Sequence, residues 1–404
     1  MTTRRKFLAS SAALAAAALT SRARPARAEN APGVTDTEIK IGQTMPYSGP
    51  ASAYGAIGRT ELAYFKTINE AGGVNGRKIN LISLDDGYSP PKTVEQVRRL
   101  VEQEQVGFLF NTLGTPPNAA IRQYLNDNKI PQLFVATGAA TFGDPQHFPW
   151  TIGYQPNYQT EASIFAKHIL ATKPDAKIGV LYQNDGFGKD YLTGLKAGLG
   201  ADHAGLIVKE VSYETSEPTV DSQIVTLQGS GADTFLIAAT PKFAAQAIRK
   251  SYDIGWTPVR YITDVSVSIA SVLKPAGLEK AKGLITAAYA KDATDARWKD
   301  DAGLRAFSDF VSKNMSAVDL TDTNVAYGFN AGILLVQLIK QCGADLSREN
   351  IMKQAANLKD VELPMLLSGI KVNTSPENFY PIRQMQLAKF DGENWVVFGE
   401  LIQA

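Results

Sequence analysis

The sequence predicts an α/β protein built from two doubly wound, parallel-sheet lobes. Short apolar runs alternate with segments of helical spacing, a pattern typical of a parallel sheet flanked by helices. Two such series lie on either side of residues 144–150, a Pro- and aromatic-rich segment that fits a connection between lobes. Without residues 1–28 the 404-residue chain keeps 376 residues, more than one hydrophobic core usually holds.

Each predicted element is a run bounded by loop residues. The first series has predicted strands at 39–42, 79–85, 108–110 and 132–136, with helical spacing at 93–103 and 118–128. The second series has predicted strands at 178–182, 206–213 and 234–239, with helical spacing at 160–171, 188–198, 220–228 and 242–252. No repeat with a period of 20–50 residues occurs, so the halves share an architecture but not a sequence.

The N-terminal residues predict export. Arg4, Arg5 and Lys6 precede an Ala-rich stretch too short to span a bilayer, and Ala-Arg-Ala at 26–28 fits a cleavage site. The paired arginines before Phe-Leu resemble a twin-arginine signal, with an ordinary Sec signal as the alternative. We therefore predict that residues 1–28 are an export signal and that the remaining chain is periplasmic.

Composition excludes several classes. The first 28 residues hold six basic residues and no acidic ones, so the remainder has 35 Lys and Arg against 40 Asp and Glu, a formal charge of −5. This balance does not suggest a nucleic-acid partner. The single cysteine, Cys342, lies in the apolar run 332–342 and is expected to be a buried thiol, with no disulfide possible within the chain.

Three loops predict a ligand site. In an open parallel sheet, ligands bind at the carboxyl ends of the strands. In the first lobe the loops there are 47–50, 111–116 and 136–141, all small, hydroxylated and uncharged. Such loops supply N–H and O–H donors that suit an anionic group held without a cation. Helix capping by Ser48, Thr115 or Thr141 is the alternative for any one loop, but three loops at one sheet edge favour a shared ligand.

Motifs for catalysis are missing from the sequence. The three histidines, His147, His168 and His203, pair with no recognisable nucleophile, and G-x-S-x-G, Walker and H-E-x-x-H motifs do not occur. No G-x-G-x-x-G follows the first predicted strand. The acidic pair at 85–86 fits a solvated turn better than a metal site. We predict no enzymatic activity, no cofactor and no metal.

Several segments together resemble a known family. They are Tyr-Ser-Gly-Pro at 47–50 with Tyr-Gly at 54–55, Glu-Ala-Gly-Gly-Val-Asn-Gly-Arg at 70–77, Asp-Asp-Gly-Tyr-Ser-Pro-Pro-Lys-Thr at 85–93 and Asp-Gly-Phe-Gly-Lys-Asp-Tyr at 185–191. In this order they resemble the periplasmic solute-binding proteins of branched-chain amino acid type ABC transporters. The resemblance implies a type I periplasmic binding fold, with two lobes joined by a three-segment hinge that closes on a ligand.

The resemblance also implies a domain division and partners. Residues 29–148 and 288–364 would form lobe 1, and residues 149–287 and 365–404 would form lobe 2. The chain would be a monomer that delivers a small carboxylate to an ABC transporter membrane permease.

The family's ligand site can be transferred residue by residue. The resemblance implies that Thr115, Ala139 and Thr141 hold the ligand carboxylate, with Tyr47, Ser48 and Tyr54 from the first loop beside it. In the second lobe it implies an aromatic contact at Phe187, a further position at Thr240 and an acid for a ligand ammonium at Asp264. Thr240 replaces an aromatic residue, and Asp264 is offset by one position.

The departures at Thr240 and Asp264 bear on the ligand. Segments 42–58 and 85–108 look most similar to the branch that binds lignin-derived aromatic acids such as p-coumarate, and Tyr154 and Tyr289 are expected to flank an aromatic ring with Tyr47, Tyr54 and Phe187. We therefore predict a receptor for a small, aromatic carboxylate. The alternatives are an amino-acid receptor that uses Asp264 for the ammonium and a sensor coupled to a chemoreceptor.

Overall fold

The first sheet of the structure is parallel throughout and has the order β2-β1-β3-β4-β5. A computed structural model describes residues 30–403, so the predicted export signal lies outside the described residues. The strands are β1 Glu38–Met45, β2 Lys78–Asp85, β3 Leu109–Phe110, β4 Gln132–Val135 and β5 Thr151–Gly153. The helices that connect them are α1 Gly55–Glu70, α2 Pro90–Arg98 and α3 Thr115–Asp127.

The second sheet has eight strands, with β13 paired to β11 beside the path β12-β11-β10-β9-β8-β6-β7. Its strands are β6 Ile178–Gln183, β7 Ile207–Tyr213, β8 Thr234–Ala238, β9 Val259–Ile262, β10 Ile285–Ala288, β11 Gln384–Phe390, β12 Trp395–Val397 and β13 Ile402–Gln403. Strands β6 to β10 are parallel, whereas β11 pairs antiparallel with β10, β12 and β13. The sequence analysis did not anticipate this antiparallel edge.

The remaining helices complete the α/β layers. They are α4 Tyr158–Thr172, α5 Gly186–Leu199, α6 Asp221–Gly229, α7 Pro241–Asp253, α8 Lys274–Ala276, α9 Leu278–Ala281, α10 Ala302–Asn314, α11 Thr323–Cys342 and α12 Arg348–Ala355. Strand β8 is buried along its whole length, as expected for an inner parallel strand covered on both faces, and its sequence Thr-Phe-Leu-Ile-Ala is correspondingly apolar. The predicted α/β class with two parallel-sheet lobes is confirmed.

The chain passes between the two sheets three times. Strand β5 pairs with β4 in the first sheet, and the next strand, β6, belongs to the second sheet. After β10 the chain returns to the first lobe, where α11 packs on α1, and it enters the second sheet again at β11. The first predicted segment of lobe 1 ends at residue 148, but strand β5, which follows it, still pairs in the first sheet. The second predicted segment ends at residue 364, but the buried residues between Leu366 and Ile382 still pack in the core beside the first sheet.

Cys342 lies near the C-terminal end of α11 and is buried among apolar side chains. Burial, followed by the nearby charge of Asp345, raises the pKa of the thiol to about 12. The prediction of a buried thiol is therefore confirmed. Within residues 30–403, no helix is both long and apolar enough to cross a membrane.

Candidate functional site

A large cavity lies between the lobes, where the carboxyl ends of both sheets face each other. It encloses about 1170 Å³ of space, counting the part that is open to solvent. Six predicted site residues and Tyr289 line it: Tyr54, Thr115 and Tyr154 near the first sheet, and Phe187, Thr240 and Asp264 near the second. Because the cavity is concave and mostly apolar with a few polar groups, it is the principal candidate for a small-molecule site.

Thr115 is the polar anchor on the first-lobe side. It is the first residue of α3, and Gly114 precedes it with a φ of +100°, a conformation that favours glycine. Pro116 and Pro117 have no N–H, and the N–H of Asn118 donates to the carbonyl of Gly114 at 3.0 Å. The backbone donor that this helix end can offer to an anion is therefore the N–H of Thr115.

Thr137, which the sequence analysis did not select, lies directly beside this anchor. Its Oγ1 is 2.7 Å from Oγ1 of Thr115, and both side chains are buried. The N–H of Ala139 donates to the same Thr137 oxygen at 3.1 Å. The hydroxyl that the second loop contributes near Thr115 thus belongs to Thr137.

Thr141 does not line the cavity, contrary to the prediction. Residues 140–143 form a 3-10 turn that carries Thr141 to the surface, where its Oγ1 accepts a hydrogen bond from Arg122 at 2.7 Å. Ala139 also lies outside the cavity lining and is buried in the core with Val135 and Phe142. Neither of these two residues, which the resemblance placed against the ligand carboxylate, is therefore among the cavity-lining residues.

Tyr47 and Ser48 likewise do not line the cavity, because they brace the first loop against β2. The hydroxyl of Tyr47 is 2.6 Å from Oγ of Ser83, and Ser48 Oγ donates to Asp85 Oδ2 at 2.6 Å. Although partial burial raises the pKa of Asp85, hydrogen bonds from Ser48, the Gly87 N–H and Lys92 hold it at about 2. Asp85 is therefore committed to this turn, and no cluster of potential metal ligands is found among residues 30–403.

Aromatic rings form much of the cavity wall. Tyr154 and Tyr327 meet edge to face with ring centroids 4.9 Å apart, and Tyr158 and Phe187 do so at 5.1 Å. Of the lining rings, Tyr54, Tyr154, Phe187 and Tyr289 were expected from the sequence. The others are Tyr88, Tyr158, Trp298, Tyr327 and Trp395. This wall suits a ligand with an apolar or aromatic body.

Asp264 faces the cavity from the second lobe, and Asp292, Lys291 and Arg297 also line it, with Lys291 paired to Asp301 and Arg297 paired to Asp295. Asp264 follows β9 at the start of a 3-10 turn and is partly accessible. Burial raises the pKa of its carboxyl to about 6, opposed by hydrogen bonds with Glu161, Tyr191 and Thr263. Among the described residues Asp264 forms no ion pair with a Lys, Arg or His side chain, so its charge has no cationic neighbour in contact.

Glu161 lies behind Asp264 and is only 1% exposed. Its Oε1 accepts the N–H of Asp264 at 2.9 Å, and its Oε2 accepts the hydroxyl of Tyr191. Burial, followed by the charge of Asp264, raises the pKa of Glu161 well above its usual value. Sequence reasoning missed this residue, although an acid on the apolar face of a helix is a recognisable warning of a buried polar group.

Thr240 and Phe187 line the cavity from the second lobe. Oγ1 of Thr240 donates to Gln183 Oε1 at 3.1 Å and lies 3.2 Å from the hydroxyl of Tyr213. Phe187 is held by Asp185, which caps α5 and accepts the Phe187 N–H at 2.9 Å. Both residues line the cavity, as predicted.

The lobes touch around the cavity. Tyr54 donates its hydroxyl hydrogen to the carbonyl of Val265 at 3.2 Å, and the N–H of Ala140 donates to Asp190 Oδ2 at 2.7 Å. Nearer the rim, Ser268 bonds to Asp322 at 3.0 Å and Lys274 pairs with Asp319 at 2.5 Å. These contacts join distant parts of the chain across the cleft.

A sequence model described as "Periplasmic binding protein" matches residues 38–394. The chain belongs to this family. The periplasmic binding protein is 23% identical over 228 residues to "Leu/Ile/Val-binding protein homolog 3" of Brucella melitensis, covering 54% of this chain and 59% of that one. It is 25% identical over 255 residues to "Amino acid binding protein" of Pseudomonas aeruginosa, covering 59% and 64%. The chain thus spans about three-fifths of the length of these relatives, which are named as binding proteins and not as enzymes.

Solved structures share the fold of this periplasmic binding protein. A branched-chain amino acid ABC transporter structure from Thermus thermophilus with bound valine superposes with a TM-score of 0.82 at 16% identity, covering 92% of this chain and 98% of that one. A fatty acid ABC transporter substrate-binding protein from Thermomonospora curvata has a TM-score of 0.77 at 22% identity, covering 94% and 96%. At these identities the likeness shows the type I fold alone.

Proposed function

We propose that this periplasmic binding protein captures a small amino acid with an apolar or aromatic side chain in the cleft between its lobes. The observation that carries the proposal is the carboxyl group of Asp264, which faces the cavity without a cationic neighbour. A buried charge without a partner costs several kcal/mol, and a ligand ammonium group supplies the missing counter-charge.

The opposite side of the cavity suits the ligand carboxylate. The N–H and hydroxyl of Thr115 lie at the N-terminus of α3, with the hydroxyl of Thr137 at 2.7 Å from that of Thr115. A helix N-terminus favours an anion, and hydrogen bonds to a charged acceptor are the stronger kind. The aromatic wall between Thr115 and Asp264 would then surround the side chain.

A small aromatic acid such as p-coumarate is the second candidate. The sequence pattern favoured it because Asp264 and Thr240 depart from the amino-acid-binding pattern. The many rings of the cavity wall support it, since each ring contact contributes about 0.5–1.5 kcal/mol beyond burial of surface. Such a ligand has no ammonium, however, and would leave Asp264 at best a hydrogen bond from a phenol.

The relatives support the amino-acid ligand. Two are named as a Leu/Ile/Val-binding protein and an amino acid binding protein, and a structural neighbour contains valine. Delivery to the membrane permease of an ABC transporter, after export to the periplasm, is the role that we propose with this ligand. We further propose that the chain acts as a monomer and that hinge closure traps the ligand.

Calorimetric titration of the wild type and Asp264→Asn with leucine, phenylalanine and p-coumarate tests the proposal. For an amino acid, removing the buried partner of the ammonium costs about 2–5 kcal/mol, so binding should be nearly lost. For p-coumarate the same change should cost only about 0.5–1.5 kcal/mol. Asp233→Asn, which alters an acid paired with Lys173 at the surface, is the matched control. Tight p-coumarate binding without any amino-acid binding would refute the proposal.

A further inference from the structure

The neighbouring carboxyl groups of Asp264 and Glu161 receive too few hydrogen bonds to stabilise two negative charges. The groups that donate to the two carboxyls are the N–H of Asp264, the N–H of Val265 and the hydroxyls of Tyr191 and Thr263. The single hydrogen of the Tyr191 hydroxyl is shared between Glu161 Oε2 and Asp264 Oδ1, which lies 3.4 Å away. Four donors, one of them shared, therefore face two carboxyl groups that in the ionised state accept about four hydrogen bonds each and donate none.

No cation compensates for the missing donors. The titratable groups that face the pair are Tyr158 on α4, Tyr191 on α5 and Tyr289 after β10, all neutral at ordinary pH because burial raises the pKa of each phenol. In the described part of the chain, Glu161 takes part in no ion pair. Two carboxyl groups this close do not both ionise without such compensation.

We propose that Glu161 stays protonated and positions the carboxylate of Asp264, so that the pair presents one negative charge to one ligand cation. The effect on ligand binding rests on the proposed amino-acid function, whereas the protonation of Glu161 does not. A proton on Glu161 provides a further donor and removes one of the two charges. It also leaves Asp264, the member that reaches the cavity, as the one that ionises.

Burial decides which of the two carboxyls keeps the proton. Glu161 is 1% exposed, whereas Asp264 is accessible from the cavity. Glu161 lies in the first turn of α4, where the helix dipole favours the ionised form, but that effect is smaller than the cost of burying a second charge. Burial raises the pKa of both carboxyls, and the charge of Asp264 raises the pKa of Glu161 further.

The direct test uses the ligand-free protein. Carbon-13 NMR of labelled glutamate carboxyl groups, with the Glu161 signal assigned by its loss in Glu161→Gln, gives the protonation state as a function of pH. We expect the Glu161 signal to remain that of a protonated carboxyl at pH 7. Titration of Glu161 in the ordinary glutamate range, near pH 4.3, would overturn the proposal whatever the ligand is.

Affinity measurements test the positioning role. Glu161→Leu removes both the donor and the acceptors, and we expect it to weaken amino-acid binding by more than tenfold. Glu161→Gln keeps an acceptor for the Asp264 N–H and an N–H donor, so it should retain most of the affinity that Glu161→Leu loses. The affinity of this variant should still fall as the pH drops below about 6. Equal losses of ligand affinity in the two variants would overturn the proposal. Glutamine can replace the hydrogen bonds of a protonated carboxyl but not those of an ionised one, so it would be as harmful as leucine only if Glu161 were ionised. If Glu161→Leu does not fold, the NMR titration and the amide variant still decide the question.

Discussion

Asp264→Asn should stabilise the ligand-free protein at neutral pH even as it removes amino-acid binding. Raising the pKa of Asp264 from 3.8 to about 6 corresponds to about 3 kcal/mol of lost folding free energy when the group is ionised. The amide does not ionise and has nearly the same shape, so the free energy of unfolding should rise by up to about 3 kcal/mol at pH 7.

The sign of the pH dependence follows from the raised pKa. Between about pH 4 and pH 6 the folded wild type holds this proton more tightly than the unfolded chain, so its stability falls as the pH rises through that interval. The advantage of Asp264→Asn should therefore be small at pH 4 and reach its full size above pH 6. Urea unfolding at pH 4, 5, 6 and 7 measures this difference.

Asp233→Asn is a control of opposite sign. Although partial burial raises the pKa of Asp233, hydrogen bonds from the Lys177 N–H, Lys173 and Thr234 lower it below its usual value. Its replacement should slightly destabilise the protein at pH 7. The reasoning about Asp264 is refuted if its amide variant is less stable than the wild type at pH 7, or if the difference between them does not change with pH.

Three further predictions concern the cleft. Thr115→Val should weaken ligand binding about ten- to a hundredfold in calorimetry, because it removes a charge-assisted hydrogen bond worth about 1.5–3 kcal/mol. Thr141→Val is the control and should change affinity by less than about twofold, since the Thr141 hydroxyl bonds to Arg122 at the surface. Tyr54→Phe loses the hydrogen bond across the lobes to Val265 and should weaken binding by about 0.5–1.5 kcal/mol without lowering the melting temperature of the ligand-free protein. Saturating ligand should reduce the radius of gyration in solution scattering by shifting lobes toward the closed state; an unchanged radius would argue against hinge closure.

Inner strands such as β4 and β8 could be predicted because their apolar runs are buried along their whole length. The predicted run 234–239 corresponds to the fully buried β8, and the predicted helix 160–171 corresponds to α4. The antiparallel strands β11 and β12 were missed. Strand β11 pairs with β10, which lies about a hundred residues earlier in the chain, and the three-residue β12 pairs with β11, so neither pairing follows from a local pattern.

The candidate site was only partly predictable for a related reason. Position after a strand places a loop at the sheet edge, but it does not decide which side chain of the loop turns inward. Thr137 and Thr141 lie four residues apart in one loop, and only the three-dimensional course of the 3-10 turn separates the buried hydroxyl from the exposed one. Tyr88 and Tyr327 could not be grouped from sequence, because they reach the cavity from elements far apart in the chain.

The central claim is that the cleft binds an ammonium group at Asp264, and matched ligand pairs test it most directly. Leucine and 4-methylpentanoate differ by the ammonium group, as do tyrosine and 3-(4-hydroxyphenyl)propanoate. Calorimetry of the wild type with both pairs should show at least one amino acid binding about thirtyfold or more tighter than its desamino partner, which corresponds to 2 kcal/mol or more. Equal or tighter binding of the desamino acid in both pairs would contradict the account.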